Sequence, residues 1–424
     1  NTTTDDSFIA GVNSSVSTEG QAMTISGKLT VEAKQGNGIG ILVNQLGSDD
    51  VSLKNNYSGE ITVKAKNAFG IKVGGNAAKD ASVAGDIYQL SVGTLNVENT
   101  ITSGSEQSEA TGIYAKSVKR GLSADSITVK GYTDATGIQL TEGGSNISIN
   151  DMKVSAGQDG NAAGIIASPN KTTAVSAVGD LENITVGNLE VSAGAEAVGI
   201  LANSIKKSGG NENVIGNITA SSTNGNAIGI VADNAYITLG GKISASSENG
   251  NAYTIRTGND LNLKMRDGAE ISATSADENS DAFAIRSEVG DINIEFEGGA
   301  TITGDISAKN ITLANGAAAT INGNIEGETL SSGAEIGTVS GKMKFDSVGD
   351  MNIATSVGSL EIGTSGTGAT SGNIAVGTVE NSANIFNAAS ATIQNTHGNV
   401  SFDSVGTATV NNAAGDISAK NVSG

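Results

Sequence analysis

Side chains able to do chemistry are sparse in this sequence, and most catalytic sets cannot be assembled from it. His397 is the single histidine, and there is no cysteine. A Ser-His-Asp triad or a histidine-based metal site would have to use that one imidazole. It sits in the stretch NTHGN, which reads as a solvated turn. Without cysteine there is no thiolate nucleophile, no thiolate zinc site and no disulfide framework. The best constellation for an enzyme is Arg256 and Arg286, which occupy equivalent positions in adjacent repeats. Lys264 and Arg266 are close in sequence, and Asp260 and Asp267 lie beside them. Aspartates with calcium and a nearby Arg or Lys could cleave an acidic polysaccharide. The same charges suit the polar positions of strands, where they face water and keep an all-β chain soluble. That second reading is adopted, and no enzymatic activity is expected.

Acidic runs at Asp49-Asp50 and from Ala276 to Asp281 (ADENSD) offer the oxygen ligands that calcium takes. Neither the EF-hand spacing nor the glycine-rich calcium nonapeptide is present. Solvated loops are therefore expected, and no cofactor is assigned. Asn146, Asn183, Asn217 and Asn310 open Asn-x-Ser/Thr triplets whose middle residue is apolar, which places them inside strands. Phe69, Tyr114, Tyr253 and Phe283 are expected to fill the core or shield edges.

These residues need a scaffold, and the composition indicates which kind. The chain has 424 residues with 58 Gly, one Pro (Pro169) and no Trp, and aromatics make up 3%. A globular core of this length would use more large rings, because each buries so much surface. Hydrophobic residues still reach 37%, enough for burial to offset ordering entropy. The net charge of −20, with no dense Lys/Arg patch, disfavours nucleic acid and anionic membranes as partners. No apolar run is long enough to cross a bilayer as a helix. The chain starts at Asn1 without an initiator Met or a signal peptide, as a processed or excised piece would.

A six-residue pattern recurs nine times: small, any, Gly, Ile, any, small-or-apolar. Its Gly-Ile pairs are Gly40-Ile41, Gly70-Ile71, Gly112-Ile113, Gly137-Ile138, Gly164-Ile165, Gly199-Ile200 and Gly229-Ile230. Two degenerate copies keep Ile255 and Ile285 but replace the glycine by Thr254 and Ala284. About ten residues before each anchor runs an alternating segment such as ITVKA from Ile61 or LEVSA from Leu189, which is the pattern of a half-buried strand. A third alternation often follows the anchor, as in VSL from Val51, ISI from Ile147 and INI from Ile292. Clusters of Gly, Asn, Asp and Ser between them supply turns.

Three short strands per repeat with no helical spacer describe one coil of a parallel β-helix. The fold class expected is all-β, a β-solenoid, right-handed by the crossover rule. Coils should stack roughly 4.8 Å apart with Ile above Ile. Residues 1–298 carry the anchor repeat. Residues 299–424 lose it and continue the alternation with shorter coils, so one long solenoid is expected rather than two domains.

The A-x-G-I-x-A anchors, the I-T-V-x-A strands and the lack of cysteine resemble the passenger region of bacterial autotransporters and related secreted β-helical adhesins. That resemblance covers most of the chain and implies export across an outer membrane and display at the cell surface. Such proteins carry a C-terminal membrane barrel, whereas this chain ends Asn-Val-Ser-Gly with few aromatics before it. The expected function is thus a non-enzymatic extracellular adhesin or structural stalk, with a cell-surface or matrix ligand as partner. A self-assembling fibre or surface-layer subunit, with copies of itself as partners, stays open beside it. A polysaccharide-active enzyme comes third.

Overall fold

The computed structural model describes residues 8–14, 23–46, 55–74, 84–101, 108–169, 178–363 and 371–423. The expected run Asp49-Asp50 and the alternation from Val51 lie outside them. The described strands pair in parallel, coil upon coil, as a β-solenoid. Two compact units are formed: residues 1–233 with 244–252 and 275–281, and residues 234–243 with 253–274 and 282–424. No helix is long and apolar enough to cross a membrane among the described residues.

In the first unit the anchor isoleucines stack in register. Val12 pairs with Ile41, then follow Ile71, Ile113, Ile138, Ile165 and Ile200, one per coil. Each of these isoleucines is completely buried. The facing wall is a second column: Leu29, Ile61, Leu95, Ile127, Met152, Leu189 and Ile218. Leu95 opens LNVEN, a copy of the alternating segment that belongs to the coil with the longest insertion.

The anchor glycine is explained by this facing wall. A Cβ on Gly70 would stand 2.6 Å from the carbonyl oxygen of Gly112 in the next coil and 2.6 Å from Leu95 Cδ1. On Gly164 it would stand 2.5 Å from the oxygen of Gly199 and 2.8 Å from Leu189 Cδ1. The missing side chain lets the opposite column dock on the backbone. Where Thr254 replaces glycine, its hydroxyl donates to the Ser272 carbonyl at 2.7 Å. The polar atom added there is thereby satisfied.

Strands in this unit are longer than the three short pieces expected. Glu109–Lys130 and Asp134–Ser155 each run 22 residues, because the ladder continues round the corners. The corners show instead as register shifts, such as that between Val118 and Leu122. Asn146 and Asn183 take the left-handed conformation at one stacked corner, a conformation Asn tolerates better than most residues. Asn183 Nδ2 donates to Asn146 Oδ1 at 3.2 Å.

The second unit changes coil size. Leu261 pairs with Ile292 and Ile292 with Ile311, and beyond that point cross-coil partners lie mostly 17 to 19 residues apart. The anchor motif is absent there, yet its column is not. Ile285 continues into Ile306, Ile325, Met343, Leu360, Ala383, Val400 and Ile417. A different glycine marks these coils, two residues before the column position: Gly304, Gly323, Gly341, Gly358, Gly398 and Gly415. A Cβ on Gly323 would meet the carbonyl oxygen of Gly304, and one on Gly415 that of Gly398.

Tyr57 is the largest fully buried side chain of the first unit and donates its hydroxyl to Met23 Sδ at 3.4 Å. Burial pushes its phenol well above the usual range. A folded-state pKa raised in this way favours the fold while the group keeps its proton. That contribution is whole below the unfolded value, near 10, and is lost as pH rises from there toward the folded value. Raising the pH from 10 to 11 is expected to cost the wild type about 1 kcal/mol more than Tyr57→Phe. Urea midpoints at pH 10 and pH 11 measure it, and an equal loss in both proteins would refute the assignment.

Candidate functional site

Two of the cations singled out in the sequence, Arg256 and Arg286, converge on one carboxylate. Arg256 Nε donates to Glu288 Oε1 at 2.9 Å, and Arg286 Nη2 to Glu288 Oε2 at 3.3 Å. Each guanidinium also lies over an aromatic ring of its own strand, Arg256 5.3 Å from the Tyr253 centroid and Arg286 4.9 Å from Phe283. The two rings stack in parallel with centroids 6.0 Å apart. Rings and carboxylate together fix the long arginine side chains.

Asp260 and Asp267 do not join this cluster. Asp260 Oδ1 accepts the backbone N–H of Asp291 at 3.0 Å, and Asp267 Oδ1 that of Gly299 at 2.9 Å. Lys264 pairs with Glu297 at 2.6 Å. The constellation read from sequence is therefore divided, and its carboxylates serve as acceptors for the next coil. The same use recurs along the chain: Asn67 accepts from Glu109, Asn161 from Glu196, Asp305 from Asn324 and Asn399 from Asp416. These bonds satisfy backbone donors where the chain turns out of the ladder.

A groove of about 660 Å³ adjoins the arginine cluster. Arg286, Ser307, Glu326 and Lys344 form one wall, stacked in register over four coils. Glu288, Lys309, Glu328 and Asp346 form the other, and the small residues Ser287, Ala308 and Gly327 lie between them. Val289 stands at the rim, 66% exposed. Except for Arg286, the sequence reading missed these residues. The signal was there: they stand three and five places after the second-unit glycines.

The first unit offers a smaller trough of about 340 Å³. Asn217 donates to Asn188 at 2.8 Å and Asn188 to Asp151 at 2.7 Å along one side, while Lys153 holds Glu190 at 2.7 and 2.9 Å on the other. Its polar groups are thus bonded to one another.

The other candidates are local. His397 Nδ1 lies 2.8 Å from Glu380 at an exposed bend. Within ADENSD, the backbone N–H of Asn279 and the hydroxyl of Ser280 hold the Asp277 carboxyl below its ordinary range. Among the described residues no group of three or more His, Asp or Glu side chains is placed to hold a metal. Phe69 and Tyr114 pack edge to face within a small apolar cluster with Ile39 and Leu42, and Lys72 lies over both rings. Asn217 and Asn310 both sit in strands, and Asn310 donates to Asp291 at 2.7 Å. Comparisons with known protein families, with curated proteins and with solved structures find no match to this chain.

Proposed function

We propose that this chain is a non-enzymatic extracellular surface protein, a bacterial adhesin or structural stalk that presents a long β-solenoid surface to a cell-surface or matrix ligand. One observation carries the reading. Most of the side chains singled out in the sequence as able to do chemistry are engaged in coil-to-coil hydrogen bonds and ion pairs, so they specify stacking. Lys28 with Glu60, Lys64 with Glu98 and Lys153 with Glu190 each join neighbouring coils. Exposed pairs of this kind add little stability but set register. The lack of cysteine suits export in an unfolded form.

Sedimentation velocity over a range of concentrations, with and without calcium, tests the reading together with retention on immobilised polysaccharides and matrix proteins. Concentration-independent sedimentation with saturable retention is the expected result. Growth into filaments or sheets without retention would replace it with a self-assembling fibre or surface-layer subunit.

A further inference from the structure

Oxidisable side chains are as scarce in this protein as catalytic ones. With no cysteine and no tryptophan, the five methionines are the side chains that a peroxide attacks first. Four of them are closed off: Met152, Met265, Met343 and Met351 are at most 4% exposed, each within the stacked core. Met23 alone is half-buried. Its backbone is fixed on both sides. The Met23 N–H donates to Asn55 Oδ1 at 3.1 Å, and its carbonyl accepts the Asn56 N–H at 2.9 Å.

The sulfur of Met23 is also the partner of a core residue. Tyr57 stands in register with Ile25 on one side and Val92 on the other, and it has no exposed surface. Its hydroxyl donates to Met23 Sδ at 3.4 Å, the one acceptor it has among the described residues. A thioether is a weak acceptor with two lone pairs. One of them meets the phenol, which leaves the other for an oxidant arriving from solvent. The accessible sulfur and the buried hydroxyl are thus coupled through a single hydrogen bond.

We infer that Met23 is an oxidation site for peroxides, attacked on the lone pair turned away from Tyr57, and that its sulfoxide releases the buried Tyr57 hydroxyl. The sulfur lone pair attacks one peroxide oxygen. The S–O bond forms as the O–O bond breaks, and the departing hydroxide takes the proton from the new S–OH group. Sulfur is oxidised to the sulfoxide and the peroxide is reduced to water. The lone pair that remains belongs to a positively polarised sulfur and accepts poorly, and the new oxygen points away from the phenol. A fully buried hydroxyl is then left without a partner where water cannot reach it, which loosens the coil around it. The inference goes beyond the display reading and does not rest on it, so either can fail without the other.

Hydrogen peroxide added to the folded protein, followed by peptide mass spectrometry, tests the site. The Met23 peptide is expected to gain one oxygen at least about tenfold faster than the peptides of the four buried methionines. After digestion, the Met23 sulfoxide should be consumed mainly by one of the two epimer-specific sulfoxide reductases, because one lone pair was shielded. Hydrogen exchange tests the release. In the oxidised wild type, exchange around residues 55–63 should accelerate about tenfold. Tyr57→Phe has no hydroxyl to release, so it should oxidise at the same residue without that acceleration. Met23→Leu should keep its exchange rates in peroxide. Circular dichroism reports whether both variants fold. Even oxidation of all five methionines, equal consumption by both reductases, or unchanged exchange in the oxidised wild type would each overturn the inference. So would equal acceleration in the wild type and Tyr57→Phe.

Discussion

Gly70→Ala is expected to destabilise the first unit by about 1–3 kcal/mol, the range for forcing extra volume into a packed core. The single added carbon has nowhere to go. It meets the Gly112 carbonyl on one side and Leu95 Cδ1 on the other, both at 2.6 Å, and Val97 Cγ2 at 2.9 Å. The carbonyl cannot retreat, because it belongs to the backbone of the next coil. Moving Leu95 would disturb a fully buried column that continues through Ile61 and Ile127. Gly121→Ala is the matched control. Its Cβ would find nothing nearer than the Asn146 oxygen at 3.5 Å, an ordinary contact, so the change should stay within about 0.5 kcal/mol. Urea melts of the two variants check the contrast. Equal stability would mean that the anchor glycine reflects chain composition and not packing.

That contrast also shows why the anchor was legible in the sequence. A residue with little tolerance recurs from coil to coil of the first unit. Gly40, Gly70, Gly112, Gly137, Gly164 and Gly199 all face the same pair of obstacles, a carbonyl above and a branched or long apolar side chain opposite. The column isoleucine is fixed with it, since its position is wholly interior in coil after coil. The coil size was less legible, because loop length is weakly constrained by stacking. A flexible insertion costs little extra as it lengthens, and the coil from Ala68 to Ala110 accommodates 42 residues where the next takes 25.

The second unit hid its repeat for a related reason. Once the coil contracts, the glycine constraint moves to the corner before the strand. The motif then reads Gly-x-apolar in place of Ala-x-Gly-Ile. Gly304-Asp305-Ile306 and Gly323-Asn324-Ile325 carry it, but at Asn381 the glycine is gone and at Ala383 the column residue shrinks to alanine. The site was harder still. Arg256 and Arg286 were visible as repeat equivalents, whereas Lys309 stands out only once the second-unit glycines are aligned, and Glu288 only once the coils are stacked.

Ile306→Ala and Ile165→Ala are expected to destabilise their units by similar amounts, about 2–5 kcal/mol each, although only Ile165 lies in the sequence-evident anchor. Both side chains are completely buried, and each is stacked between neighbours of the same column. Ile165 has Ile138 and Ile200, and Ile306 has Ile285 and Ile325. Truncation leaves a gap that the coils above and below cannot close, because their spacing is held by the backbone ladder. In a quasi-one-dimensional stack the loss should be felt locally. Hydrogen exchange should therefore accelerate around residues 285–325 for Ile306→Ala and around 138–200 for Ile165→Ala. Adding Ile325→Ala to Ile306→Ala should depart from additivity, since the two share one cavity, while combining Ile306→Ala with Ile165→Ala should be additive within about 0.5 kcal/mol. A small effect of Ile306→Ala beside a large one of Ile165→Ala would mean that the shorter coils are held by their hydrogen-bonded corners. The polar ladders of Asp305, Asn324 and Lys342 would then be the principal stabilising element of the second unit.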